Sequence, residues 1–130
     1  SNMANNTITF DPQSGVAYGV DLTINTGADF KSTFDVLKSD KSAYNLTGYS
    51  GSCQMTKSVA IGATLGVGAT FSVGFTSAAG GKFEISLGST STRSLKQGRH
   101  VYDILVSSGS TIYRIVSGDI MVQGGISSAP

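Results

Sequence analysis

The fold class that the sequence predicts is all-β: an immunoglobulin-like antiparallel β-sandwich of about seven to eight strands with one short helical turn. Three observations predict it. Almost nothing in the chain repeats at helical spacing. Short runs rich in Val, Ile, Thr, Phe and Tyr recur between clusters of Gly, Ser and Asn. Within those runs apolar and polar residues alternate, as strands with one buried face require. A seven- or eight-stranded barrel built from the same strands is the competing arrangement. No linker or break in composition divides the chain, so 1–130 reads as a single domain, with Ser1-Asn2 as a tag remnant and Met3 as the natural start.

The elements follow in order. Thr7 to Phe10 makes a first short edge strand. Ala17 to Asn25 puts Tyr18, Val20, Leu22 and Ile24 on one face before a Thr-Gly turn. In "DFKSTFDVLKSD" Phe30, Ser32, Phe34 and Val36 point one way, and Lys31, Thr33 and Asp35 point the other. Ser39 to Gly51 is polar and punctuated, hence a loop, pinned by Leu46 and Tyr49. "SCQMTKSV" turns Cys53 and Met55 inward and Gln54 and Thr56 outward. Ala60 to Gly68 reads equally as a short strand with a glycine-rich connection or as a flexible excursion. "ATFSVGFTS" places Phe71, Val73 and Phe75 on one face; a hairpin turn at Gly80-Gly81 leads to Phe83, Ile85 and Leu87. Ser89 to Gly98 suits the helical turn, capped by Ser or Thr, with Leu95 tucked beneath and Gly98 ending it. "RHVYDILVSS" and "TIYRIVSGDIMVQGG" complete the set around a tight "SSGS" turn.

Composition narrows function. Nine basic residues against eight acidic ones give a net charge of +1, and the basic residues are scattered, which argues against a nucleic-acid partner. Ser58 to Gly81 is uncharged, but its Gly, Ser and Thr residues and its period-two second half favour strand over a membrane helix. A lone Cys53 allows neither an intrachain disulfide nor a thiolate metal cage, and alternation makes it a small buried apolar group.

The residues most like a reactive corner lie in "GRHVYDILV". There His100, Tyr102, Ile104 and Val106 share one face, while Arg99, Val101, Asp103 and Leu105 share the other. Asp103 therefore cannot orient His100 directly, and is expected to pair with Arg114 or Lys82 across the sheet or to accept bonds from a loop. His100 is expected half covered, near Leu95 or the sheet edge. The acids, Asp11, Asp21, Asp29, Asp35, Asp40, Glu84, Asp103 and Asp119, are dispersed, without the local packing of a calcium loop or a paired-carboxylate motif. "GATLGVGATFS" lacks the Lys-Ser or Lys-Thr and the strand–helix frame of a phosphate loop. The expectation is no catalytic residue, no metal site, no cofactor and no enzyme.

The order of four segments carries a resemblance. "GADFKSTFDVL" opens a strand after a turn, and "YNLTGYSGSCQM" contains Leu46, Thr47, Gly48 and Tyr49. "GKFEISLGSTSTRSLKQGRHVYDILV" holds Leu95, Gly98, Tyr102 and Asp103, and "SGDIMVQGGI" holds Gly118, Ile120 and Val122. From about Asp21 to Ile126 the chain resembles a module of tailed-phage structural proteins. It is similar to the N-terminal immunoglobulin-like domain of siphophage upper baseplate proteins and to small virion proteins of T4-like phages, cyanophages among them. His100 stands where that pattern has an aromatic residue, and Ala60 to Gly68 is more glycine-rich and apolar than the pattern. In motif terms, Gly48 and Gly98 supply tight or left-handed backbone, while the Tyr49 and Tyr102 hydroxyls tie loops down.

The resemblance implies a virion structural protein of tail, baseplate or neck, assembled in the host cytoplasm. Its expected partners are other virion structural proteins and further copies of itself, as a homo-oligomer or ring, with no nucleic acid and no membrane. Ser58 to Gly81 is the expected contact region. Two other readings are a host-surface carbohydrate-binding module using Tyr18, Tyr44, Tyr49 and Tyr113, and a hydrolase using His100 and Cys53.

Overall fold

A computed structural model describes residues 4–57 and 67–124. They form nine strands and one helical turn: β1 Ala4–Thr9, β2 Tyr18–Gly19, β3 Leu22–Asn25, β4 Phe30–Leu37, β5 Ser50–Lys57, β6 Val67–Ser77, β7 Lys82–Leu87, α1 Ser89–Arg93, β8 Gly98–Ser108 and β9 Thr111–Gln123. The chain is all-β, as its alternation predicts. The immunoglobulin-like sandwich is corrected to one nearly closed, barrel-like sheet in the order β1-β4-β7-β6-β5-β8-β9-β2, with β3 also on β9.

The physical reason is β6. Its first half pairs with β5 (Cys53 with Phe71, Met55 with Ala69), and its second half pairs with β7 (Val73 with Ile85, Phe75 with Phe83). An eleven-residue strand long enough to serve both layers joins them into one surface instead of leaving two stacked sheets. The two ends of that surface approach each other, because the Phe10 ring, just after β1, lies 5.4 Å from the Tyr113 ring of β9. Nor is the pairing purely antiparallel. Both terminal elements, β1 on β4 and β2–β3 on β9, run parallel to their neighbours.

Inside, the alternation is spent on one core. Phe34 and Phe83, opposite each other on β4 and β7, stack with centroids 5.2 Å apart. Ile8, Ile24, Cys53, Met55, Ile85, Ile104, Ile115 and Ile120 are buried around them, and Leu46 pins its loop as expected. Gly48 and Gly98 take positive φ, 85° and 121°. The strand boundaries thus differ from those the alternation predicts only at their ends, whereas Ala17–Asn25 divides into β2 and β3. Of the Ala60–Gly68 question, residues 60–66 lie outside the described residues.

The helical turn is held differently from expectation. Its N-cap is Gly88, without a side-chain cap; the Asp29 carboxylate accepts from the Ser89 amide at 2.7 Å instead. Thr92 is wholly buried: its hydroxyl donates to the Ala28 carbonyl at 2.8 Å and accepts from the Gly27 amide at 3.0 Å. One threonine therefore latches α1 onto the β3–β4 turn.

Candidate functional site

Strand β8 divides the candidate chemistry between two faces. Inward, His100 is 2% exposed, more deeply buried than its sequence position predicts. Its Nε2 lies 2.9 Å from the Lys96 carbonyl oxygen. A carbonyl only accepts, so Nε2 carries the proton and Nδ1 is left as a bare acceptor, buried without a partner. Cys53 is on neighbouring β5, but the register sets His100 opposite Lys57 and Cys53 opposite Ile104. Four residues of strand separate them, about 13 Å. Burial, with Asp103 nearby, pushes the Cys53 thiol up to about 12, so it is not a thiolate nucleophile at neutral pH.

Outward, a shallow groove of about 550 Å³ lies on the face of β5, β8 and β9, beneath the Gly15–Ala17 segment; Val16, Gln54, Thr56, Val101, Asp103 and Arg114 line it. A β-bulge makes this face. Ile104 pairs with Val116 but Leu105 pairs with Arg114, so Ile115 is an extra residue in β9. Without it Arg114 would share Val106's inward parity. With it, Ile115 and Val116 are both buried and Arg114 turns outward, its Nε 3.1 Å from Asp103 Oδ2. Asp103 thus pairs with Arg114, one of its two expected partners; Lys82 pairs instead with Asp35 at 3.1 Å. Arg99 reaches Asp119 at 3.5 Å, so Val101 sits on the face between two ion pairs.

The tyrosines do not form one platform. Tyr44 and Tyr113 pack on Phe10, with centroids 6.2 and 5.4 Å away, and so help close the seam. Burial, then the neighbouring Tyr49 and Tyr113, raises the Tyr44 phenol's pKa. A cleft of about 380 Å³ beside them is lined by Asp11, Lys38, Asp40 and Tyr44. Tyr18, on β2, makes no ring contact with this group among the described residues. Tyr102 is the hydroxyl that ties a segment down: it donates to the Val20 carbonyl at 2.8 Å.

Among the described residues no three His, Cys, Asp or Glu side chains gather as a metal site, and no helix is long and apolar enough to cross a membrane. Of the expected contact region, residues 58–66 lie outside the described part. β6 is an interior strand that pairs with β5 along its first half and with β7 along its second, and its exposed outer face of Gly68, Thr70, Ser72, Gly74 and Thr76 is uncharged.

No protein-family model matches the chain, and no curated protein matches it. Solved structures do. The N-terminal domain of phage TP901-1 ORF48 matches with a TM-score of 0.58 at 8% identity, over 93% of this chain and 98% of that one. This likeness establishes a shared fold. A family 123 glycoside hydrolase from Clostridium perfringens matches at a TM-score of 0.37 and 11% identity, over 82% of this chain and 23% of that one.

Proposed function

We propose that this protein is a non-enzymatic structural component of a phage particle, in its tail, baseplate or neck, acting through contacts with other virion proteins and with copies of itself. The observation that carries the reading is the fold shared with a phage protein's N-terminal domain across 98% of that domain's length. The order of the Leu-Thr-Gly-Tyr loop, the Tyr102-Asp103 strand and the Gly118-Ile120-Val122 strand supports it independently from the sequence side. Inert packing of Cys53 and the separation of His100 from Asp103 agree with a scaffold. The finer attribution to T4-like phages gains no support from the comparisons, and the reading does not depend on it.

The carbohydrate reading is weaker on geometry. Tyr44 and Tyr113 turn their rings to Phe10, and a sugar platform needs an open ring face.

Mass spectrometry of purified particles of the phage that encodes the chain tests the proposal, with antibody labelling under the electron microscope. The expected result is the chain in every particle at one fixed place. Complete, infectious particles without it overturn the reading, and specific retention on a glycan array redirects it to sugar binding.

A further inference from the structure

A sheet edge exposes a row of unpaired N–H and C=O groups, and proteins commonly blunt such edges with charge, proline, bulges or shortness. β1 carries none of these devices. Its sequence is Ala-Asn-Asn-Thr-Ile-Thr, and its register with β4 runs unbroken over six residues, from Ala4 opposite Ser32 to Thr9 opposite Leu37. Among the described residues no backbone hydrogen bond reaches its outer edge. The opposite edge is guarded: β2 and β3 are two and four residues long, and Val20-Asp21 interrupts them.

The inner side of β1 is fixed. Ile8 is 1% exposed, and the Asn6 amide donates to Ser32 Oγ at 2.9 Å and to the Thr33 carbonyl at 3.1 Å. Asn5, Thr7 and Thr9 are exposed on the outer face.

We propose that β1 pairs antiparallel with β1 of a second copy about a two-fold axis normal to the sheet, in a register centred on Thr7. Charge selects a second copy as the occupant. In a two-fold contact a residue on the axis meets its own mate, so a charge there repels itself. β1 has no charged residue, and the charges on adjacent β4, Lys31 and Asp35, are already engaged by Glu84 and Lys82. The register sets Thr7 beside the partner's Thr7 and Asn5 beside the partner's Thr9, polar pairs that hydrogen-bond across antiparallel strands. The inference deepens the assembly reading and rests on it for the presence of several copies.

The test is sedimentation velocity on the full purified chain, up to millimolar concentration. The native chain is expected to show a concentration-dependent dimer. Thr7→Lys opposes two like charges on the axis and is expected to weaken it about tenfold or more, with the melting temperature of the dilute, monomeric protein unchanged because Thr7 is exposed. Under oxidising conditions Thr7→Cys is expected to give a covalent dimer that reductant reverses; buried Cys53 does not compete. A native chain monomeric at every concentration overturns the pairing. So does a Thr7→Lys dimer as strong as the native one, or a Thr7→Cys protein that stays uncrosslinked. A dimer formed by a chain absent from particles sinks the phage reading alone, and a monomer present in particles sinks the β1 pairing alone.

Discussion

The two ends of the sheet are alike in topology and unlike in how they are fastened. Each lies parallel to its only neighbour, and each lacks a strand beyond it among the described residues. β1 is held by side chains that reach sideways: Asn6 to Ser32 and Thr33, and the Thr33 hydroxyl to Asn5 Oδ1 at 2.9 Å. β2–β3 is held by bonds that converge on the Val20-Asp21 break, where its backbone also lies against that of Gly118. The Val20 amide donates to the Ser117 carbonyl at 3.0 Å, the Asp119 amide donates to Asp21 Oδ1 at 3.0 Å, and the Tyr102 hydroxyl meets the Val20 carbonyl. Side-chain clamps tolerate rearrangement; a close backbone contact does not. The difference teaches that β2–β3 is the end fixed by close approach, and that the proposed pairing of copies falls at the other end, β1.

Gly118 is where that comparison breaks most severely. A Cβ at this position would lie 2.0 Å from the Val20 carbonyl oxygen and 2.8 Å from its carbon. Backbone on a strand pinned at both sides cannot step back as a flexible side chain does. Gly118→Ala is expected to destabilise by about 3 kcal/mol or more, or to prevent soluble expression. Urea unfolding measures the first outcome. Hydrogen exchange is expected to show β2 and β3 unprotected while β1 keeps its protection; equal loss at both ends would remove the distinction between them.

Tyr102→Phe is the next largest test. It keeps the ring, which is 4% exposed, and deletes the bond that satisfies Val20, at a cost of about 1–2 kcal/mol by denaturant unfolding. Alkali probes the same hydroxyl. Burial first, then Cys53 and Asp21 nearby, raises the folded-state pKa of Tyr102 above its ordinary 10.0, and burial raises that of Cys53 from 9.0 to about 12. For both groups the neutral form is favoured in the fold, so their contribution is complete below the unfolded values and drains as pH rises. Stability is therefore expected to fall from pH 9 upward, by as much as about 1.4 kcal/mol per pH unit for each group titrating only in the unfolded chain. In Tyr102→Phe the Tyr102 component is expected to disappear, leaving the Cys53 component, which begins at pH 9 and ends near 12, and that of the raised Tyr44 phenol. An identical slope above pH 10 in both proteins would count against a buried phenol.

How much of this was legible in the residues depends on the range of the interaction involved. Alternation is local, so the inward faces of β4, β7 and β8 were readable, down to the separation of His100 from Asp103. The helical turn was readable in place but not at its ends: Gly88 stands at the N-cap instead of Ser or Thr, and Ser94 closes the turn while Gly98 already belongs to β8. Closure of the sheet was not, since it turns on β6 changing partners between Phe71 and Ser72, a property of two hairpins together. The break at Val20-Asp21 depends on Gly118, nearly a hundred residues away in sequence. Arg114 shows two sequence signals in conflict, since its charge offers it to Asp103 on the outer face while the parity of β9 does not. Strict alternation assigns it to the core, and only the extra Ile115 sends it out to Asp103. Alternation puts His100 on the correct face but too near the surface, because the Lys96 carbonyl that receives its Nε2–H comes from an irregular segment. The sequence offers Tyr44 and Tyr113 as ligand-facing; their packing on Phe10 follows from the seam, which no local pattern announces.

At the β1 end, Asn6→Ala removes the amide that spans to β4 and leaves the buried Ser32 hydroxyl without it. The expected cost is about 1 kcal/mol. Faster hydrogen exchange is expected in β1 and at its pairing edge on β4, with β2 and β3 unaffected. Protection lost equally across the whole sheet would mean that β1 is no more separable than the other end.

The smallest expected effect belongs to the outer face, which fastens neither end. Arg114 and Asp103 hold their pair at 3.1 Å, but their side chains remain 60% and 35% exposed, so water and salt screen most of the attraction. Arg114→Ala is expected to cost about 0.5 kcal/mol in low salt and less in high salt, while Gly118→Ala and Asn6→Ala keep their effects across the same range. The contrast is physical: steric overlap and a desolvated hydroxyl do not respond to ionic strength, and an exposed ion pair does. Denaturant curves at two salt concentrations for the three variants measure it. A large, salt-insensitive loss in Arg114→Ala would mean that the arginine's aliphatic stem, laid outward by the Ile115 bulge, stabilises β9 by packing, and the groove would then be part of the framework instead of a free surface.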